Sequence, residues 1–152
     1  MIQTTLWLMI KDWKIFLWEK KRWFAKWVLN WIWGKVDWDE SLDNCLIREA
    51  KEEIWIEVEE FEKIWEMNFY FEKKPEWNQV VHLYKISKYS WEIIESDEIR
   101  PFWFDLDKIP YGKMWDADKI RLPRILNWEK EIVYDFYYDD ENWVYNDYKK
   151  IK

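Results

Sequence analysis

Apolar and polar residues along this chain fall mostly into short blocks or alternations, and only two stretches repeat at helical spacing. Thr4 to Ile10 is an apolar block of strand length. Asp12-Trp13 follows as a turn and Lys14 to Trp18 returns, which predicts a hairpin. Phe24 to Val36 keeps neither period and reads as irregular. From Ser41 to Glu53, Leu42, Cys45, Leu46 and Ala50 recur on one helical face, with Asp39 or Ser41 as the cap. Val58 to Trp65, Asn68 to Phe71, Gln79 to Ile86 and Ile99 to Phe104 predict further strands. Asp116 to Asn127 predicts a second helix through Leu122, Ile125 and Leu126, with a kink or a later start forced by Pro123. Glu131 to Tyr138 and Trp143 to Tyr148 predict a closing hairpin. Strands with two interspersed helices give an α/β (α+β) fold around a mixed sheet. The length suits a single domain over residues 1–152.

Composition changes this picture at the turns. The chain holds 16 Trp and 2 Gly, where an average chain of this length would carry roughly 11 Gly. Asp12-Trp13, Asn30-Trp31, Asp37-Trp38, Ser90-Trp91, Asn127-Trp128 and Asn142-Trp143 each place Trp after a turn-forming residue. Glycine is the usual second member of such pairs, because it reaches positive φ without a Cβ clash. Trp55 likewise stands where a helix-terminating glycine belongs. The pattern is what results when UGA codons that specify glycine are read as tryptophan. The alternative is a designed or naturally Trp-rich chain.

Charged residues make up 36% of the chain and apolar residues 49%, a soluble globular balance. The net charge of −7 argues against a nucleic-acid-binding surface, which would be basic. An acidic protein still binds a polyphosphate when metal ions lie between the two. Cys45 is the only cysteine, so no internal disulfide forms, in keeping with a reducing compartment. No apolar run reaches membrane-spanning length, and the apolar start reads as a first strand. The expectation is a cytoplasmic protein with no membrane partner. Lys20-Lys21-Arg22 reads equally as a solvated strand end or a phosphate contact.

The chemistry concentrates in the first helix. Glu49, Glu52 and Glu53 stand at i, i+3 and i+4, which stacks three carboxylates on one face. Like charges so grouped call for a divalent cation, and an oxygen-only donor set suits Mg²⁺ or Mn²⁺. The wider pattern is Gly34, Glu40, Arg48, Glu49, Ala50, Glu52, Glu53 and Ile56. It resembles the Nudix box, G-x5-E-x7-R-E-U-x-E-E-x-G-U, with Trp55 in place of the last Gly. Glu40 and Arg48 are suited to pair across the loop–helix junction. The carboxylates would hold metal that neutralises a polyphosphate while an oriented water attacks phosphorus.

The resemblance covers about Thr4 to Pro123 and is greatest to the MutT-type oxidised purine nucleoside triphosphate hydrolases. It is carried by Lys20-Lys21-Arg22-Trp23-Phe24, Asn30-Trp31-Ile32-Trp33-Gly34-Lys35-Val36, Glu95-Ser96-Asp97-Glu98 and Met114-Trp115. It implies the Nudix fold, a mixed β-sheet sandwiched between helices. It also implies a monomer acting on a small-molecule purine nucleoside triphosphate, 8-oxo-dGTP or 2-hydroxy-dATP, with no direct DNA or RNA binding. Glu52, Glu53 and Glu98 are then the catalytic carboxylates, supported by Arg48 and Glu40. Metal would be held by Glu49, Glu52, Glu53, Gly34 and Glu98. Substrate would meet Thr5 at the pocket floor, Lys20, Phe24, Asn30, Phe69, Phe71, Trp115 as a stacking aromatic, and Asp118 at the base edge. Trp103 and Trp115 match genuine family tryptophans, and Trp77 is grouped with them. Ala117 replaces one acid of the family's pair, and Arg121 stands where the family has an aromatic. A related di- or triphosphate substrate is the alternative. So is a disabled scaffold acting as a binding protein, if the tryptophans are physically present. His82, alone among apolar strand residues, reads as structural.

Overall fold

The computed structural model describes residues 1–22, 28–139 and 144–152. Nine strands are present among them: β1 (Ile2–Lys11), β2 (Lys14–Lys20), β3 (Leu29–Asn30), β4 (Ile32–Lys35), β5 (Glu57–Phe71), β6 (Gln79–Ser90), β7 (Ile99–Asp105), β8 (Ile132–Tyr138) and β9 (Tyr145–Lys150). Helix α1 spans Leu42–Ile54 and α2 spans Asp118–Leu126. The main path of the sheet is β3-β2-β1-β6-β5-β8-β9, with β4 on β1 and β7 on β2. β1–β6 and β5–β8 are parallel and the other pairs antiparallel, so the sheet is mixed.

Strand alternation builds two cores, one on each face. Leu6 and Leu8 of β1 join Met67, Phe69 and Phe136 in one cluster, with Leu122 and Ile125 of α2. Trp7 and Met9 point the other way and meet Leu46, Ala50 and Ile54 of α1. The sheet is therefore sandwiched between helices, as expected. Fully burying a residue such as Leu46 or Ile54 contributes ~1.5–3 kcal/mol, so the apolar face of α1 fixes how its acidic face is presented.

Several elements differ from expectation. The segment read as irregular contains β3 and β4, because backbone pairing to β2 and β1 orders it where side-chain periodicity is lacking. The two strands expected across 58–71 are one fifteen-residue strand, which absorbs its register shifts against β6 as irregularities near Val58, Glu60 and Lys63. α2 starts at Asp118 and retains Pro123 inside it. The tip of the closing hairpin, including Asn142-Trp143, lies outside the described residues.

Ser41 caps α1 by accepting the Asn44 N–H at 3.1 Å. At the other end Trp55 is left-handed, φ 64° and ψ 27°, and the Trp55 and Ile56 N–H groups return to Lys51 and Ala50. Trp13, Trp91 and Trp128 are also left-handed, at φ 60°, 76° and 61°. Neither glycine uses that region. Asn30-Trp31 and Asp37-Trp38 do not show it, and Trp31 is instead buried. The left-handed tryptophans are all exposed, whereas the indole N–H groups of buried Trp7, Trp18 and Trp31 find no hydrogen-bond partner among the described residues. Trp103, by contrast, packs on Phe16 with ring centroids 5.5 Å apart.

Left-handed backbone costs a non-glycine residue ~1–2 kcal/mol. Trp13→Gly, Trp55→Gly and Trp91→Gly are each expected to raise stability by ~0.5–1 kcal/mol after the entropy of glycine is counted. Trp128→Gly gains less, because Lys85 Nζ lies 3.9 Å from its ring centroid. Trp103→Gly should lose ~2–3 kcal/mol. Urea denaturation measures all five. Equal losses throughout would show that these turns do not favour glycine.

Candidate functional site

Arg48, on the acidic face of α1, binds both oxygens of Glu40, Nε to Oε1 and Nη2 to Oε2, each at 2.8 Å. Nη1 reaches Glu49 Oε1 at 2.7 Å and Glu52 Oε2 at 3.2 Å, and Nη2 also donates to the Lys35 carbonyl at 3.2 Å. One guanidinium thus ties the loop before α1, the end of β4 and two helix carboxylates together. The planar fork of arginine makes this geometry available where lysine would not. Hydrogen bonding to Arg48 holds Glu40 below the usual carboxylate range.

Gly34 faces α1 from β4. A Cβ there would come within 2.1 Å of Glu49 Cγ and 2.5 Å of Oε1, so the bare backbone is what lets the Glu49 side chain lie across the strand. Burial raises the Glu49 pKa. Burial also raises Glu53, with further contributions from the charges of Glu49 and Glu98 and an opposing one from Lys20. Glu53, Glu98 and Lys20 are therefore electrostatic neighbours, although they come from α1, the segment before β7 and the end of β2. Excess negative charge on oxygen donors fits a hard divalent cation. Arg48 occupies two of the three helix carboxylates in this structure, and among the described residues no three acidic, His or Cys side chains converge closely enough to hold an ion.

Beside this edge lies a cavity of about 280 Å³. Lys20, Asn30, Phe69 and Trp115, four of the residues expected to meet substrate, line it, and the Trp115 indole N–H donates to Asn30 Oδ1. Lys20 is the link between cavity and acidic helix. Its neighbour Lys21 instead binds Glu95 and the Ser96 carbonyl, so the basic patch is divided between two tasks.

Three expected contacts fall elsewhere. Thr5, expected at the pocket floor, points to α1, with its hydroxyl 3.4 Å from Cys45 Sγ. Thr4 lines the cavity in its place, because alternate residues of β1 face opposite sides. Phe71 does not line the cavity either and packs against Trp77 and Tyr138. Asp118 is completely buried and turned to Arg121, at 2.5 Å, while Arg121 lines the cavity. Burial raises the Asp118 pKa against the pull of that guanidinium. Phe24 lies outside the described residues. Sequence reasoning did not place Thr4, Tyr138 or Arg121 in the cavity. Strict alternation from Leu6 and Leu8 would have found Thr4, and the departure at Arg121 was visible, but nothing local marks Tyr138.

His82 is buried on β6, 2.7 Å from Gln3 Oε1 and away from the cavity lining. Desolvation first, and then Lys63, lower its pKa to about 4, so it remains neutral at ordinary pH.

Fold and site together define an α+β hydrolase-type domain in which a clamped, carboxylate-rich helix borders an aromatic cavity. The NUDIX domain model matches residues 5–125. The chain is 35% identical over 130 residues to the oxidized purine nucleoside triphosphate hydrolase of Danio rerio, covering 86% of this chain and 83% of that protein. Identity to the enzyme of the same name from Mus musculus is 31% over 140 residues, covering 92% and 88%. The fold is similar to that of a MutT protein from Bacillus halodurans, with TM-score 0.86 and 19% identity over 99% of this chain and 98% of that one. The chain belongs to the Nudix family and is a Nudix pyrophosphohydrolase.

Arg48→Ala leaves Glu40 and Glu49 close together without their counter-charge. We expect a loss of ~2–3 kcal/mol, reduced from the fully buried case because Arg48 is 28% exposed. Arg48→Lys should recover less than half of it. Urea midpoints of the two variants check this, and full recovery by lysine would show that charge alone, rather than the fork, joins loop to helix.

Proposed function

We propose that the protein hydrolyses oxidised purine nucleoside triphosphates, 8-oxo-dGTP foremost and 2-hydroxy-dATP as a second candidate, to the monophosphate and pyrophosphate. Its role would be to clear damaged nucleotides from the precursor pool. It would act as a cytoplasmic monomer that requires Mg²⁺, with Mn²⁺ as a substitute, and has neither nucleic-acid nor membrane partners. No helix among the described residues is long and apolar enough to cross a membrane. The observation that carries the reading is the junction at Lys20, where an aromatic cavity meets the Glu49, Glu52 and Glu53 face of α1. A purine in the cavity would direct its phosphates past Lys20 towards those carboxylates. The names of the relatives from Danio rerio and Mus musculus support the substrate class.

In this reading Glu49, Glu52, Glu53 and Glu98, with the Gly34 carbonyl, hold the metal. The bound ion would neutralise phosphate charge and make phosphorus more electrophilic. Glu53 is the first choice for orienting and deprotonating the attacking water, with Glu52 and Glu98 as alternatives. It is half-buried where Glu52 and Glu98 are exposed, which suits it to hold a water away from bulk solvent. Arg48 and Glu40 act as positioning residues. Lys20 contacts phosphate, Asn30 bonds the purine, and Trp115 stacks on it beside Phe69, with Phe24 as a further wall. Ala117 and Arg121 favour a second reading in which the same chemistry serves another nucleoside di- or triphosphate, since they alter the base end of the cavity alone.

Initial rates with 8-oxo-dGTP, dGTP, 2-hydroxy-dATP and dATP in Mg²⁺ test the proposal. We expect kcat/KM for 8-oxo-dGTP to exceed that for dGTP by at least about tenfold, with pyrophosphate released and activity lost in EDTA. Glu53→Gln should lower kcat by ~10²-fold or more while leaving the urea midpoint nearly unchanged. Equal rates on oxidised and ordinary bases would transfer support to the second reading.

A further inference from the structure

The cavity contains three charged side chains, Lys20, Lys35 and Arg121, and no carboxylate lines it among the described residues. Lys20 and Lys35 belong to the end beside α1: Lys20 acts on Glu53, and the Lys35 carbonyl receives Arg48. Arg121 comes from α2, on the opposite face of the sheet, and is 5% exposed. Its Nε donates to Asp118 Oδ1, Nη2 lies 2.5 Å from the same oxygen, and Nη1 lies 3.6 Å from Met67 Sδ. The guanidinium is also set over Trp31 and Phe69, at 5.0 and 5.8 Å from their ring centroids. Of the five N–H groups in a guanidinium, Asp118 and Met67 engage three, leaving two donors on a fixed plane at the cavity wall.

Asn30, another polar residue of the lining, commits one of its two amide N–H groups to the Val28 carbonyl and accepts the Trp115 N–H on its oxygen. Arg121 is thus the charged donor at this end, with more uncommitted N–H groups than the single one left on Asn30, and Asp118 has no surface in the cavity with which to accept from a base.

We infer that Arg121 is the base-selecting residue of this enzyme, donating hydrogen bonds to a carbonyl on the purine edge and so favouring 6-oxopurines over 6-aminopurines, with Asp118 as its positioning residue. The inference rests on the proposed purine site. The C6 carbonyl of a 6-oxopurine accepts from the Arg121 donors, and in 8-oxo-dGTP, where N7 carries a hydrogen, that oxygen is the acceptor at this edge. A 6-amino group would bring donor against donor in a desolvated wall, leaving both without partners. Within the proposed substrates this places 8-oxo-dGTP ahead of 2-hydroxy-dATP.

The test is the binding of dIMP and dAMP, which differ in the C6 substituent and the protonation of N1 and need not be hydrolysed. Calorimetric titration of the unmodified protein should find dIMP tighter by roughly tenfold or more. Arg121→Met alone strands a buried carboxylate, so it is paired with Asp118→Asn, a double change that removes both charges together. In that variant the two affinities should fall within about twofold of each other, with the loss confined to dIMP. Asp118→Asn alone should weaken dIMP and raise KM for dITP while kcat holds. Equal affinities in the unmodified protein, or a preference that survives the double change, overturns the inference. A preference that behaves as expected in a protein unable to hydrolyse any purine triphosphate upholds Arg121 and rejects the proposed reaction.

Discussion

The contact on which the site depends is the Arg48 guanidinium. It is anchored to a helix that is itself anchored by Leu46, Ala50 and Ile54 in the core, and it reaches out to Glu40 in the preceding loop and the Lys35 carbonyl of β4. Without it, Glu40 and Glu49 would repel and the loop would lose its fixed relation to the helix. With it, the negative charge needed to attract a metal is tolerated in the folded protein. Gly34 contributes the space. The strand passes so close beneath Glu49 that a single added carbon would displace the carboxylate. Charge compensation and close approach are therefore two parts of one arrangement.

The first core holds the cavity and the second carries the acidic helix, with the sheet between them. Lys20, the last residue of β2, bridges the two, since it lines the cavity and its charge acts on Glu53. A substrate with an aromatic base and a charged tail matches this division. In the proposed reading the tail lies at the helix, and the base end is left free to vary. Ala117 and Arg121 are the variation in this chain.

Much of this was legible in the sequence, for identifiable reasons. Helix α1 was readable because capping, apolar spacing and carboxylate spacing all agree over the same residues. The Nudix pattern marked Glu40 and Arg48 as suited to pair, and they do. Thr5 was misplaced because resemblance gives a residue type, whereas strand parity gives a direction. Asp118 was misread because its partner lies three residues away on the helix, and only the packed structure shows Arg121 between it and the cavity. β3 and β4 were hidden because their order comes from distant strands. The tryptophans divide as the turn argument requires at Trp13, Trp55, Trp91 and Trp128, and not at Trp31 or Trp38. Exposed left-handed turns and orphaned buried indoles are poor uses of tryptophan, while Trp103 and Trp115 are packed as tryptophans should be.

The central claim is that the acidic face of α1 is a metal site organised by Arg48. Titration of Mn²⁺ into the protein, followed by electron paramagnetic resonance and competed with Mg²⁺, tests it without reference to any substrate. The account predicts saturable binding that Mg²⁺ displaces and that Glu53→Gln weakens by about tenfold or more, as loss of a carboxylate ligand should. Binding of equal strength in Glu53→Gln, or none in the unmodified protein, would contradict it.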